Sequence, residues 1–212
     1  NLGGKQVLNG TSLTIQQNET RVVMGRSGEG KSVLFKHICG LFQPDQGEVY
    51  VDGDEISRFN ERELFPVRKK IGVLFQNAAL FDSMNILKNV GFPLYEQQNH
   101  DENDIRDRVM EMLKMVRLGD ILEKMPSELS GGMRKRVGLA RAIIQEPKII
   151  LYDEPTTGLD PVTADAINEL IISLSKKLKV TSVVITHDMV SAFKIATKMA
   201  MLFQGKIIFD GT

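Results

Sequence analysis

Apolar residues fall into two kinds of pattern along this chain of 212 residues. Short runs of consecutive apolar residues, typical of strands buried on both faces, occur within 21–24, 71–75, 149–152 and 183–185. Apolar residues three or four positions apart, typical of amphipathic helices, occur within 101–117 and 162–178. Strands that alternate with helices predict an α/β fold with a mostly parallel central sheet covered on both faces.

Four segments add to this alternation. The loosely alternating residues 6–15 and the run 48–51, which precedes an Asp-Gly turn, predict antiparallel β structure near the N-terminus. Residues 199–203 and 206–209 flank a Gln-Gly turn and predict a hairpin. Residues 77–141 lose strand character, which predicts a helical insertion. We expect one domain, with 1–76 and 142–212 as core and β subdomain, 77–141 as helical subdomain, and both ends trimmed.

The strongest chemical pattern is the G-x-x-x-x-G-K-S sequence at 25–32, between a predicted strand and a helix predicted over 31–39. Its glycines let backbone N–H groups surround a phosphate, and the helix start adds unpaired N–H groups. The charge of Lys31 suits the β- and γ-phosphates, and the Ser32 hydroxyl suits Mg²⁺. The alternative is a chance glycine turn. The expected phosphate contacts are Gly25, Arg26, Ser27, Gly28, Glu29, Gly30, Lys31, Ser32 and Val33.

A pair of carboxylates, Asp153 and Glu154, follows the strand predicted at 149–152. Ligands gather at the carboxyl ends of parallel strands. Asp153 would hold Mg²⁺ directly or through water, and Glu154 could accept a proton from an attacking water. The alternative is a solvated turn before Pro155.

A second helix start lies at 129–133, with the sequence L-S-G-G-M. Ser130 suits the N-cap position, and two glycines leave the N–H groups of the first turn open. This pattern predicts a second anion site at a helix terminus, although an ordinary helix start fits it equally well.

Composition narrows the class of protein. Lys+Arg and Asp+Glu both number 27, and this balance argues against a broad nucleic-acid surface. The single cysteine, Cys39, excludes a disulfide framework and fits a buried position in a reducing compartment. We interpret His37 as packed or partly exposed, His100 as solvated, and the basic run 134–136 as a solvated helix face.

Taken in order, the motifs resemble those of the nucleotide-binding domain of ABC transporters along essentially the whole chain. Residues 25–32 resemble Walker A, Gln76 the Q-loop, 129–133 the signature, and 149–154 Walker B. Residues 157–160 and 186–188 are similar to the D-loop and H-loop. The resemblance implies a P-loop NTPase (RecA-like) core, an N-terminal antiparallel β subdomain and an inserted α-helical subdomain. It also implies hydrolysis of ATP with Mg²⁺.

The resemblance further implies a head-to-tail dimer of two copies, with each ATP between one P-loop and the other copy's signature. Glu154 would be the general base, His187 would lie at the γ-phosphate, and Gln76 would contact Mg²⁺ and the attacking water. The implied Mg²⁺ ligands are Ser32, Gln76 and Asp153. The implied contacts to the other copy's ATP are Ser130, Gly131, Gly132 and Asp160.

Two departures from the family pattern stand out. The signature ends in Met133, where glutamine is commonest; this position lies beyond the phosphate-facing residues, so we expect activity to survive. The family usually places an aromatic residue under adenine, and that position falls on Leu2. We expect adenine contact from Leu2 and Val7 without an aromatic ring; the alternative is an aromatic residue in missing N-terminal sequence.

Within the family, 30–38, 75–84 and the signature region with Lys135 and Arg136 are similar to the Mkl/Mla-type ATPases of lipid transport. This similarity implies phospholipid transport between bacterial envelope membranes, an integral-membrane permease partner and a lipid-binding partner protein. The implied location is the cytoplasmic face of the bacterial inner membrane, with the chloroplast inner envelope as the alternative. Leu80, Phe81, Met84 and 92–95 are candidates for permease docking, unless they only pack the insertion.

Three alternatives stay open. The chain could belong to a non-transport ABC ATPase that acts on nucleic acid or ribosomes, although one cassette, a short insertion and balanced charge favour no nucleic-acid partner. It could serve a transporter of another substrate. It could bind nucleotide without hydrolysis, against which Glu154 and His187 argue.

Overall fold

The computed structural model describes residues 3–4, 6–97 and 101–212, so Leu2 and His100 lie outside the described residues. Its strands are β1 Thr20–Met24, β2 Tyr50–Val51, β3 Asp54–Glu55, β4 Ile71–Leu74, β5 Ile149–Asp153, β6 Thr181–Thr186, β7 Lys198–Phe203 and β8 Lys206–Gly211. Its α-helices are α1 Lys31–Ile38, α2 Glu61–Arg68, α3 Ile86–Tyr95, α4 Glu102–Met115, α5 Gly131–Ile143, α6 Pro161–Leu178 and α7 Met189–Ile195. A short 3₁₀ helix spans Pro126–Glu128.

The central sheet has six strands in the order β4-β5-β6-β1-β7-β8. Every neighbouring pair is parallel except β7 and β8, which form the predicted antiparallel hairpin. The prediction of a mostly parallel sheet is therefore confirmed. Register pairs Met24 with Thr186 and Asp153 with Ile185. The carboxyl ends of β1, β5 and β6 thus meet at one edge of the sheet, where the predicted site residues follow them.

Both faces of the sheet are covered. In β5, Ile150 and Tyr152 enter the larger hydrophobic core, while Leu151 enters a second core with Phe35 and Cys39 of the α1 region. This arrangement explains the continuous apolar run of β5, since side chains that alternate between two buried faces are all apolar.

The N-terminal segment differs from its prediction. Residues 6–15 are all described, and none of them lies in a strand. The segment bonds instead to the β7–β8 turn, because Asn9 N and the Thr11 hydroxyl both donate to Gly205 O, at 2.8 and 2.6 Å. Its apolar residues Leu8 and Leu13 pack against the second core. The alternating apolar residues of 6–15 therefore reflect a half-buried segment that does not pair with a neighbouring strand. The antiparallel sheet consists of β2 and β3, two residues each.

The insertion is helical, as predicted. Its helices α3, α4 and α5 bury a shared apolar interior that includes Val90, Val109, Leu113 and Val137. Helix α5 continues past the predicted boundary at 141/142 and packs on β4. A Cβ atom on Gly72 would lie 2.2 Å from Ala142 O. In the described part of the chain, no helix has the length and apolar character that crossing a membrane requires.

Candidate active site

An open cleft of about 700 Å³ lies at the carboxyl edge of the sheet. It brings together residues that are far apart in sequence and that the motifs had singled out. Ile185 also lines it, although a buried strand residue carries no chemical signal in sequence. The lining residues are Val7, Arg26, Ser27, Gly28, Gly30, Lys31, Ser32, Val33, Gln76, Asp153, Glu154, Ile185 and His187.

The loop at 25–32 has the backbone shape that its glycines allow. Gly28 and Gly30 have φ of 84° and 103°, in the left-handed region that favours glycine. Gly30 is the N-cap of α1 and offers no side-chain hydrogen bond, so the first-turn N–H groups have no side-chain acceptor there. The buried Lys31 donates from Nζ to Gly25 O at 2.7 Å and Arg26 O at 3.0 Å. The ammonium therefore lies within the curve of the loop.

Two residues of this loop serve the surrounding structure and do not line the cleft. A Cβ atom on Gly25 would lie 2.6 Å from Leu202 O, so this position admits only glycine without a shift of β7. The Glu29 carboxylate accepts a hydrogen bond from Gln204 N. Phosphate contact through their backbone N–H groups remains a prediction.

Asp153 ends β5 inside the cleft. Burial raises the pKa of its carboxyl group, and the neighbouring Glu154 raises it further, while Lys135, Lys31 and Lys36 lower it. Burial disfavours the charged form of a carboxylate, and a nearby cation restores it. Asp153 is thus a carboxylate whose surroundings favour an added positive charge.

Glu154 is held by hydrogen bonds from several elements. Its φ of 48° is unusual for a residue with a Cβ atom, and its N–H donates to Ile185 O at 2.8 Å. Oε2 accepts from the hydroxyls of Thr157, at 3.0 Å, and Thr186, at 3.3 Å. Oε1 lies 2.8 Å from His187 Nδ1. Glu154 and His187 therefore meet at the cleft, with 11% of the glutamate side chain and 61% of the histidine side chain exposed.

The signature and D-loop residues do not line this chain's own cleft, as far as the described residues show. Ser130 is the N-cap of α5, and its Oγ accepts from Met133 N at 3.3 Å. Asp160 is the N-cap of α6, where hydrogen bonds from Thr163 are the largest cause of its lowered pKa. A Cβ atom on Gly132 would lie 2.5 Å from Thr163 Cγ2. Both helix starts are thus ordinary caps within one chain.

The interpretation of 134–136 as a solvated helix face is wrong for Lys135. Arg134 is exposed, but Lys135 is buried, and its Nζ donates to Gln76 O and to Glu154 O, the latter at 3.1 Å. Two main-chain carbonyls from distant segments satisfy the ammonium group, and nothing in the local pattern reveals them.

The remaining single-residue interpretations have mixed outcomes. His37 is half-buried, with Nδ1 2.7 Å from Val33 O, as expected for a packed side chain. Cys39 is buried, and burial raises the pKa of its thiol to about 12. Among the docking candidates, Phe81 is 41% exposed and stacks on Phe92, with ring centroids 4.9 Å apart, whereas Leu94 is buried in the core.

Comparison with known proteins agrees with this geometry. Residues 8–157 match the family described as ABC transporter. The chain is 33% identical, with a TM-score of 0.90, to the ATP-binding cassette MJ0796, solved as a dimer in a post-hydrolysis state with ADP and Pi; the match covers 100% of this chain and 94% of that one. The chain therefore belongs to the ABC transporter family and has the fold of its ATP-binding cassettes.

Three curated relatives are close in sequence. The Probable ribonucleotide transport ATP-binding protein mkl of Mycobacterium tuberculosis is 43% identical over 99% of this chain. The Methionine import ATP-binding protein MetN of Carboxydothermus hydrogenoformans is 44% identical over 97%. The Intermembrane phospholipid transport system ATP-binding protein MlaF of Haemophilus influenzae is 41% identical over 99%. The chain spans 58% of Mkl, 61% of MetN and 80% of MlaF.

Proposed function

We propose that this chain is the ATP-hydrolysing part of an ABC transporter. The single observation that supports this most is the cleft, in which Lys31 and Ser32 face the paired Glu154 and His187. A phosphate group bound by the loop would lie beside a carboxylate that can accept a proton. Membership of the family agrees with this reading.

Several residues of the cleft take part in the proposed reaction. Backbone N–H groups of the loop and the start of α1 bind phosphate oxygens, and Lys31 moves from the loop carbonyls to the β- and γ-phosphates. Glu154 orients a water and accepts its proton at a carboxylate oxygen. His187, hydrogen-bonded to Glu154, stabilises the γ-phosphate side. Gln76 lies at the same cleft and orients the water.

The donor set fits Mg²⁺ bound together with phosphate. The described residues contain no group of three or more His, Cys, Asp or Glu that could hold a metal alone. Mg²⁺ usually binds through one or two carboxylates, substrate phosphates and water. The Ser32 hydroxyl, the Gln76 side chain and the half-buried Asp153 would hold it. When bound, it neutralises negative charge that develops on the phosphate oxygens.

We further propose that two copies form a head-to-tail dimer around ATP. The support is the position of Ser130, Gly131, Gly132 and Asp160 outside the chain's own cleft. The first three lie at a helix start that suits an anion. The related cassette MJ0796 is dimeric in its solved structure.

For the transported substrate we propose phospholipid, with a permease and a lipid-binding protein as partners and the cytoplasmic face of the bacterial inner membrane as location. MlaF supports this proposal by name, and the sequence features shared with Mkl/Mla-type ATPases agree with it. MetN and Mkl are as similar in sequence, so methionine and ribonucleotide are the competing substrate classes.

The test uses the full-length protein purified with its membrane partners. Phosphate release from ATP is measured in nanodiscs, and extracted lipid is identified by mass spectrometry. We expect Mg²⁺-dependent ATP hydrolysis and phospholipid bound to a partner. Hydrolysis stimulated by methionine instead would contradict the substrate, and the absence of hydrolysis would contradict the catalytic proposal.

A further inference from the structure

Side chains of helix α5 donate hydrogen bonds to the main chain of the turn that follows β4. Lys135 donates to the main-chain oxygen of Gln76 at the start of this turn. Six residues further along the helix, Arg141 donates to Ala78 O at 2.7 Å and to Ala79 O at 2.9 Å. At 3.6 residues per turn, Lys135 and Arg141 lie roughly 120° apart around the helix. Their long side chains therefore reach the same turn from two sides. Residues 76–79 are therefore held at two points.

Between these two cations, helix α5 packs closely against the turn. Gly138 lies midway, and a Cβ atom there would lie 3.0 Å from both Ala78 Cβ and Leu74 Cδ1. The helix can approach the turn this closely because glycine has no side chain. Ala78 and Ala79 have φ of 60° and 48°, a conformation that costs a residue with a Cβ atom about 1–3 kcal/mol. The contacts from α5 hold this unfavourable turn in place.

Lys135 makes a second contact that Arg141 does not. Its Nζ also donates to Glu154 O, at 3.1 Å, so one ammonium joins the main chains of two residues that line the cleft. Only 5% of Lys135 is exposed. A buried ammonium is costly unless it is hydrogen-bonded, so these two carbonyls account for its position. Burial lowers the pKa of the Lys135 ammonium, and the charges of Asp153 and Glu154 partly offset this effect.

We propose that Lys135 is a positioning residue for ATP hydrolysis, which fixes the main chains of Gln76 and Glu154 relative to the helix that begins at Ser130. The inference rests on the proposed ATPase function. Because α5 runs unbroken over Gly131–Ile143, a displacement at its N-terminus moves both contact points together. A movement of the helix at Ser130 would therefore be transmitted to the main chains of Gln76 and Glu154.

The test replaces Lys135 by methionine in the full-length complex, which keeps an unbranched apolar side chain and removes the donors. We expect kcat to fall by about 10- to 100-fold, the loss typical of a misplaced reactive group, with KM for ATP nearly unchanged. The matched control is Arg136→Met on the same helix. Arg136 bonds to Arg117 O at 3.4 Å, away from the cleft, and its loss should leave kcat unchanged.

Hydrogen exchange supplies a second readout that a general loss of stability would not reproduce. In Lys135→Met, we expect faster exchange in peptides covering 75–79 and 154–157, with unchanged exchange in β1 and β6. Wild-type kcat with wild-type exchange at 75–79 would overturn the inference, and so would faster exchange over the whole chain. If the wild type itself releases no phosphate, the proposed function fails, and the exchange data alone decide whether Lys135 organises the two segments.

Discussion

Replacing Glu154 by glutamine removes the proposed base and changes little else. The two side chains have the same shape, and glutamine keeps an acceptor oxygen for His187 Nδ1, now 2.8 Å from Oε1. Its amide NH₂ would replace Oε2, and the hydroxyls of Thr157 and Thr186 can rotate to accept from it. We therefore expect the fold, the cleft and ATP binding to persist.

The size of the effect follows from the role of a base. A positioned general base contributes about 10²–10⁴-fold to a rate. At 1.36 kcal/mol for each tenfold change, this is roughly 2.7–5.5 kcal/mol of transition-state stabilisation. Because Glu154 binds no phosphate in the proposed arrangement, the loss should fall on kcat and leave ATP affinity nearly unchanged.

The assay is phosphate release at saturating ATP and Mg²⁺ from the full-length complex, with ATP affinity measured separately by titration. Light scattering would show whether the variant accumulates as a nucleotide-bound dimer, as expected when hydrolysis no longer opens it. Glu111→Gln, the same substitution at an exposed position on α4, is the control and should keep the wild-type rate. A Glu154→Gln rate within about threefold of the wild type lies well below the effect of a general base and would refute the assignment.

Three further predictions test the phosphate loop and the core. Lys31→Ala should weaken ATP binding by about 10- to 100-fold, since a charged hydrogen bond contributes about 1.5–3 kcal/mol; unchanged affinity by calorimetry would argue against this role. Gly72→Ala should lower the free energy of unfolding by about 1–3 kcal/mol, because its Cβ atom would lie 2.2 Å from Ala142 O, whereas Gly119→Ala, with no neighbour within 4 Å, should stay within about 0.5 kcal/mol in thermal melts. Cys39, with a thiol pKa of about 12, should react with iodoacetamide at pH 8 only after denaturation, because about 10⁻⁴ of it is thiolate; rapid alkylation of the native chain would contradict its burial.

Much of the site could be predicted from sequence because its signals are local. A glycine loop between strand and helix specifies its own backbone shape, and the structure places Gly28 and Gly30 in the left-handed region as that loop requires. Asp153 is the last residue of β5, so the parallel sheet had only to bring β5 close to β1. The helix caps at Asp160 and Ser130 are also local, since a cap bonds within three residues of itself.

The errors arose where the partner is distant in sequence. Residues 6–15 alternate like a strand, but the N–H of Asn9 and the hydroxyl of Thr11 donate to the carbonyl of Gly205. Lys135 lies in a basic run that reads as solvated, yet two carbonyls, 59 and 19 residues away in sequence, satisfy it. The hydrophobic pattern of a single helix does not reveal hydrogen-bond partners that are so distant in sequence.

The sequence by itself determined the class of fold, the phosphate loop and the order of the motifs, because each depends on residues within a few positions of one another. The tertiary structure decided which groups lie together. It paired Glu154 with His187, buried Lys135 between two main-chain carbonyls, and left the signature outside the chain's own cleft. The physical reason is that hydrogen bonding and burial depend on distance in space, and the sheet order β5-β6-β1 sets those distances.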